Sequence, residues 1–190
     1  MKKVYVLVVM LLLSSKLFAT NFMIDDSHTH VGFSIKHMMI SNVKGEFKSY
    51  EAELKFDVNK KVFTAFKANI ETTSIDTGIE KRDNHLRSAD FFNVEKYPEI
   101  TFIMTKYSAG KMYGNLNIHG VTKEIILDTT VNGVIQFDGD TRVGFTLEGA
   151  IKRSDFDLKW NKALELGGLM VGDDVKLLIE VEAIEDEDED

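Results

Sequence analysis

The chain is predicted to be all-β: an eight-stranded antiparallel barrel with one short helix between strands 3 and 4. Three observations carry this reading. Apolar residues recur with period two along most of the chain, the mark of half-buried strands. Eight such stretches follow one another at roughly even spacing, almost all joined by short polar turns, as in a meander that closes on itself. A single proline, Pro98, stands among the 190 residues, and it falls where a strand begins, a position that tolerates its missing N–H.

The elements follow in order. Lys2 and Lys3, the apolar run Val4–Leu13 and the small residues Ser14, Ser15 and Ala19 read as a secretory signal cleaved after Ala19, although Leu17 is not the small residue such a site prefers. The run falls short of the roughly 20 apolar residues a transmembrane helix needs. Val31, Phe33 and Ile35 share one face of a first strand. Val43, Gly45 and Phe47 lead into Tyr50, Ala52, Leu54 and Phe56, with a phase slip between Phe47 and Tyr50 that predicts a bulge. Phe66, Ala68 and Ile70 mark the third strand. Thr77 and Glu80 match a capping box, so a helix of about three turns is expected to run to Ala89, with Ile79, Arg82 and Leu86 on one side. Ile100, Phe102 and Met104 make the fourth strand. Met112, Gly114, Leu116 and Ile118 continue the pattern, and Val121, Ile125, Leu127 and Val131 follow a turn at Gly120. Val143, Phe145, Leu147 and Ile151 make the seventh strand, and Val175, Leu177, Ile179 and Val181 the last.

Cleavage would leave 171 of the 190 residues, enough for one domain with a sizeable core. The chain then divides into a signal (1–19), a barrel (20–184) and an acidic tail (185–190), Glu-Asp-Glu-Asp-Glu-Asp, expected to stay solvated by self-repulsion. There is no cysteine, which removes disulfides, thiol catalysis, thiolate metal sites and lipoprotein acylation together. Three positive charges lie in the signal, so the net charge moves from −8 to −11 on cleavage. Nucleic acid is excluded as an expected partner, because phosphate binding needs a basic surface.

Few residues suggest catalysis. Asp26, His28 and His30 alternate, and on one strand face they could hold a divalent metal for a hydrolase. The alternative is that they are polar residues near a strand end. No nucleophile elbow or Ser-x-x-Lys signature is present. The segment 167–173, Gly-Gly-Leu-Met-Val-Gly-Asp, lacks the Gly-Lys-Ser/Thr ending of a phosphate loop and reads as a turn before the last strand. Arg82, Asp83, Arg87 and Asp90 surround His85, either as a polar gate or as salt bridges tying the helix to the barrel. Phe91 and Phe92, if extended, face opposite ways, one plugging the barrel and the other covering the helix. The inward-facing candidates are unusually rich in Phe, Met and Ile.

Four separated segments, HTHVGFSIKHM (28–38), RDNHLRSADFFNVEKYPEITF (82–102), NLNIHGVTKEI (115–125) and KRSDFDLKW (152–160), occur in the order found in the YceI-like family. From about Ile24 to Ile184 the chain resembles that family. The resemblance implies a lipocalin-like periplasmic barrel that binds a long-chain lipid: a polyisoprenoid, an isoprenoid quinone or a fatty amide. It implies no catalysis and no cofactor, no stable membrane insertion after signal cleavage, and it allows a homodimer. It also favours histidine at the positions of His28 and His37 for structural hydrogen bonding, and a final strand starting at Val171-Gly172-Asp173. On this reading Phe33, Ile35, Phe47, Leu54, Phe66, Ile70, Phe91, Phe102, Met104, Leu116 and Ile118 line an apolar cavity, where methionines such as Met104 and Met112 could adapt to varied chains. Two alternatives stand beside the carrier: the metal-dependent hydrolase, and a ligand-free stress or interaction domain whose barrel is filled by its own side chains.

Overall fold

Eleven strand segments join into one closed antiparallel sheet in the computed structural model, which describes residues 19–165 and 167–186. They are β1 (Thr20–Ile24), β2 (His30–His37), β3 (Ser41–Phe47), β4 (Tyr50–Asp57), β5 (Val62–Glu71), β6 (Ile75–Asp76), β7 (Glu99–Ser108), β8 (Lys111–Ile118), β9 (Val121–Phe137), β10 (Asp140–Lys152) and β11 (Val171–Glu185). Three pairs are single staves broken in the middle: β1 with β2, β3 with β4, and β5 with β6. Eight staves therefore close the barrel, with the helix α1 (Glu80–Arg87) between the third and fourth, as the alternation predicts. The expected signal up to residue 18 and the tail beyond Asp186 lie outside the described residues. Glu185 and Asp186 do not belong to a free tail. Glu185 completes β11 opposite Phe22, and the Asp186 N–H donates to the Asn21 carbonyl.

Each break has a local cause. The first is a 3-10 turn, Asp26–His28, opened by Asp25, whose carboxylate accepts from the Ser27 N–H at 2.9 Å. The second replaces the bulge expected after Phe47. The ladder stops at Phe47, and the Lys48 N–H turns to the Ser74 carbonyl at 3.2 Å. The third is a 3-10 turn at Thr72–Ser74.

The two ends of the barrel differ. At one end β4–β5, β7–β8 and β9–β10 are joined by turns of a few residues. At the other, two long connections, 77–98 and 153–170, cross over the opening. Aromatic side chains fill the short-turn end. Phe63 meets Phe56, Tyr107 and Phe145 at ring-centroid distances of 4.9, 5.1 and 4.9 Å. Phe22 packs edge-on against Phe56 and Phe66 against Phe145, an arrangement that adds to the area they bury.

The helix departs from expectation. It is two turns long, and Ile79 at its N-cap makes no side-chain cap bond. Gly78, at φ 77°, turns the chain before the helix starts, so Thr77 stands too far back to cap it. The Thr77 hydroxyl and N–H both donate instead to the buried Asp83 carboxylate, at 2.5 and 3.0 Å. Arg82 and Leu86 face the barrel, but Ile79 is exposed.

Phe56 and Phe145 are fully buried where the rings interlock. Phe145→Ala is expected to lower unfolding stability by about 3–5 kcal/mol, because this crowded end cannot collapse onto the space left. Urea denaturation checks it.

Candidate functional site

Below the long connections the barrel interior holds a cavity of about 250 Å³. Phe33, Ile35 and His37 of β2, Val43 and Phe47 of β3, and Val175 and Leu177 of β11 form one wall. Ile100, Ile118 and Ile151 come from β7, β8 and β10. Alternation explains why these side chains point inward. The roof is built by the two long connections: Arg82, His85 and Leu86 from α1, Phe91 and Phe92 after it, and Phe156, Leu158, Trp160 and Met170 from the loop before β11.

Three rings join the two halves of the roof. Phe91 and Trp160 lie 5.1 Å apart, and His85 meets both edge-on at 5.1 and 4.9 Å. The His85 Nε2 also contacts the Asp90 carboxylate at 2.9 Å. Phe92 points into the cavity and packs edge-on to Phe47. The opposed placement expected for Phe91 and Phe92 fails because residues 88–97 are a series of turns, not an extended strand, so both rings face the interior.

Arginine holds this roof. Of the salt bridges expected in this cluster, His85 pairs with Asp90, whereas among the described residues Arg82 and Arg87 bond to carbonyls and hydroxyls rather than to carboxylates. Arg82 donates to the Thr77 hydroxyl and carbonyl at 2.7 and 2.8 Å. Arg87 donates to the Thr73 and Ile75 carbonyls, both at 2.7 Å. Arg153 is buried, and its guanidinium donates to the carbonyls of Gly172, Leu158 and Trp160. Burial pushes its pKa down from the ordinary arginine value. A guanidinium offers five donors in a rigid fork, which suits it to gathering carbonyls that turn away from a sheet. The cavity lining contains Lys36, Arg82 and Arg153 but no carboxylate, on a chain whose net charge is −8.

The candidate residues separate by height along the barrel. Phe33, Ile35, Phe47, Phe91 and Ile118 line the cavity. Leu54, Phe66, Phe102 and Leu116 are buried in the solid core below it, and Ile70 and Met104 pack against that core. Their inward orientation follows from alternation, but the space beside them is taken by side chains from the opposite wall. Phe66 of β5, for instance, meets Phe145 of β10 across the barrel, ring centroids 6.0 Å apart. Met112 is likewise in the core, and the methionine at the cavity is Met170. The roof residues Leu86, Phe156, Leu158 and Trp160 were missed. The i, i+2, i+4 spacing of Phe156, Leu158 and Trp160 carried a signal.

Asp26, His28 and His30 do not form one cluster, because the 3-10 turn interrupts their alternation. His30 Nδ1 meets Glu46 across β2 and β3 at 3.0 Å. His28 Nδ1 meets Asp25 at 3.0 Å, and Arg142 reaches both Glu182, at 2.8 Å, and Asp25, at 3.4 Å. Asp25, His28 and Glu182 converge closely enough to hold a metal, but Arg142 already places its charge against both carboxylates. The group works as a stitch. Where the first stave breaks, the Thr29 hydroxyl bonds both the N–H and the carbonyl of Glu182 at 3.3 Å.

The model of the YceI-like domain matches residues 22–183. The chain belongs to the YceI-like family. It is 40% identical to a UPF0312 protein of Staphylococcus aureus over 159 residues, which cover 83% of this chain and 93% of the relative. The crystal structure of the Campylobacter jejuni YceI protein is similar, with a TM-score of 0.72 and 46% identity, covering 86% of this chain and 96% of that one. A polyisoprenoid-binding domain from Saccharophagus degradans, implicated in plant cell wall breakdown, shares the fold at 15% identity, with a TM-score of 0.61 and coverage of 89% and 100%.

The stitch titrates. The hydrogen bond to Asp25 raises the His28 pKa above its usual value, and the same bond lowers that of Asp25. A raised histidine pKa contributes stability below the unfolded value and loses it as pH rises through the folded one, while the lowered Asp25 value keeps its carboxylate ionised until more acid conditions. Wild type is therefore expected to melt above His28→Ala at about pH 5, and the gap to close by about pH 8. Thermal melts of both proteins across that range check the sign.

Proposed function

We propose that the protein is a non-enzymatic carrier or sequestering protein for a long-chain apolar lipid: a polyisoprenoid, an isoprenoid quinone or a fatty amide. The observation that carries this reading is the unequal filling of the barrel. Aromatic rings close one end, while the other keeps an apolar cavity under a roof of loops rather than strands. An eight-stranded barrel has room either for its own side chains or for one small ligand, and this one divides the space. Each methylene moved from water into such a space gains about 0.8 kcal/mol, so an apolar chain several isoprene units long is bound without any polar contact. At about 250 Å³ the cavity lies just below the usual size of ligand pockets, which run from roughly 300 Å³ upward. A long chain fills it and continues past the three-ring roof. The cationic lining without a carboxylate suits a head group rich in acceptors, lying near Arg82 and His85. Membership of the YceI-like family and the fold shared with a polyisoprenoid-binding domain support the same ligand class.

Organic extraction of protein purified without detergent, followed by mass spectrometry, is expected to yield lipid. Ile118→Trp keeps the wall apolar but shortens the space, so the variant is expected to stay folded and retain less lipid or shorter chains. A wild type that yields none, with Ile118→Trp only destabilised by about 1–3 kcal/mol through overpacking, means the barrel is filled by its own side chains and the carrier reading is wrong.

We place this carrier in the periplasm, on the strength of the basic start, apolar run and small residues before Thr20. Fractionation followed by intact-mass measurement is expected to find it there, lacking about 19 residues. Recovery of the full chain from the membrane fraction refutes this.

A further inference from the structure

The β2–β3 turn stands beside the cavity and breaks the chain's own habit. His37–Ile40 is closed by a bond from the Ile40 N–H to the His37 carbonyl, and its central residues Met38 and Met39 both take left-handed backbone, φ 49° and 66°. Turns of this kind favour Asn-Gly or Asp-Gly, because a side chain is strained at positive φ. The other tight hairpin turns obey this: Ala109-Gly110, His119-Gly120 and Asp138-Gly139 each place glycine second. Here two methionines occupy the strained positions, and Met39 and Ile40 are 60% and 85% exposed.

The neighbouring loop extends the same surface. Asn161 clamps its base, accepting from the Val171 N–H at 3.1 Å and donating to the Val171 carbonyl at 2.7 Å. The Met38 N–H bonds the Met170 carbonyl at 2.7 Å, tying the turn to the loop. Leu169, beside it, is 50% exposed. The loop's Met170 and the turn's His37 also line the cavity, so the apolar tip is continuous with the roof. Lys36, Lys44 and Lys162 stand in the two segments that form it, without an ion pair among the described residues. Glu165 is the one carboxylate in the segments 36–44 and 161–170. On an acidic chain, these two segments carry three lysines against one carboxylate beside an apolar tip, with Asp173 and Asp174 following in β11, where Lys152 pairs with them.

We propose that this tip docks the protein, peripherally and reversibly, on an anionic lipid bilayer. Met38, Met39, Ile40 and Leu169 enter the interfacial layer, the lysines meet the lipid phosphates, and the cavity roof is brought to the membrane surface. A tip of this composition matches what interfacial binding requires: apolar side chains for the acyl boundary and cations for the head groups. The role of the contact in lipid exchange rests on the carrier reading, whereas the docking itself does not.

The test is flotation of the signal-cleaved protein with vesicles of phosphatidylglycerol and phosphatidylethanolamine, against vesicles of phosphatidylcholine alone. The informative variant is M38N with M39G, which gives the turn the residues its backbone favours and so is expected to keep or raise the melting temperature. Its binding to anionic vesicles is expected to fall by about tenfold or more, from the loss of two apolar anchors. Phe137→Ser, an exposed ring on the β9–β10 turn at the opposite end of the barrel, is expected to bind as wild type does. Wild type is expected to bind neutral vesicles more weakly and to lose part of its anionic binding in salt. Absence of wild-type binding to anionic vesicles, or binding by the M38N/M39G variant equal to wild type, overturns the proposal. A wild type that dimerises through the tip, with a monomeric M38N/M39G variant that still floats, assigns the surface to a second copy and also overturns it. Vesicle binding through the tip by a protein that yields no extractable lipid leaves docking standing and removes the carrier reading. Extractable lipid without vesicle binding does the reverse.

Discussion

Closure of the sheet at β11 is the constraint on which the rest depends. This strand pairs with β10 along one edge and, along the other, with both halves of the first stave: β1 near its end and β2 near its start. An open sheet would leave two rows of unpaired N–H and C=O groups and could enclose neither core nor cavity. The break in the first stave falls on this seam. There the chain supplies Asp25, His28, Thr29, Arg142 and Glu182 in place of the missing ladder bonds. Of the side chains that suggest a metal site in the sequence, His28 is recruited to this closure problem, because a buried or half-buried backbone group left without a partner is costly.

Once the barrel is closed, the lengths of its connections determine what it can hold. Short turns keep neighbouring staves together at one end, and the rings of Phe56, Phe63, Phe66 and Phe145 meet across the axis. At the other end the two long connections replace side-chain filling with a roof. Loops do not pack across an opening as tightly as rings from facing strands, so space remains beneath them. The same loops form the part of the molecule that a ligand would have to displace, and the contacts among His85, Phe91 and Trp160 join their two halves directly.

Cation-to-carbonyl bonding explains how such irregular loops stay ordered. Arg82, Arg87 and Arg153 spend their donors mainly on main-chain carbonyls that have left the ladder. Charge-assisted bonds of this kind are stronger than neutral ones. The roof is therefore held by arginine-to-carbonyl bonds, while the histidine–carboxylate stitch at His28 lies on the seam.

By itself the sequence determined the strand count, the position of the helix, the inward face of each alternating stretch and the family, but not β1, whose Phe22 is buried in the core. Each follows from local periodicity or from motifs spread along the chain, and each survives because a barrel buries one face of every strand. Only the tertiary structure decided which inward residues border empty space. Leu116 and Ile118 alternate on the same strand, yet one is sealed in the core and the other faces the cavity. Alternation reports the face of a residue but not its height along the axis, nor what reaches it from the far wall. The helix cap, the paired direction of Phe91 and Phe92, and the partners of the arginines were hidden for a related reason. They depend on turns and on main-chain carbonyls brought together from distant segments, which leave no periodic trace in the sequence.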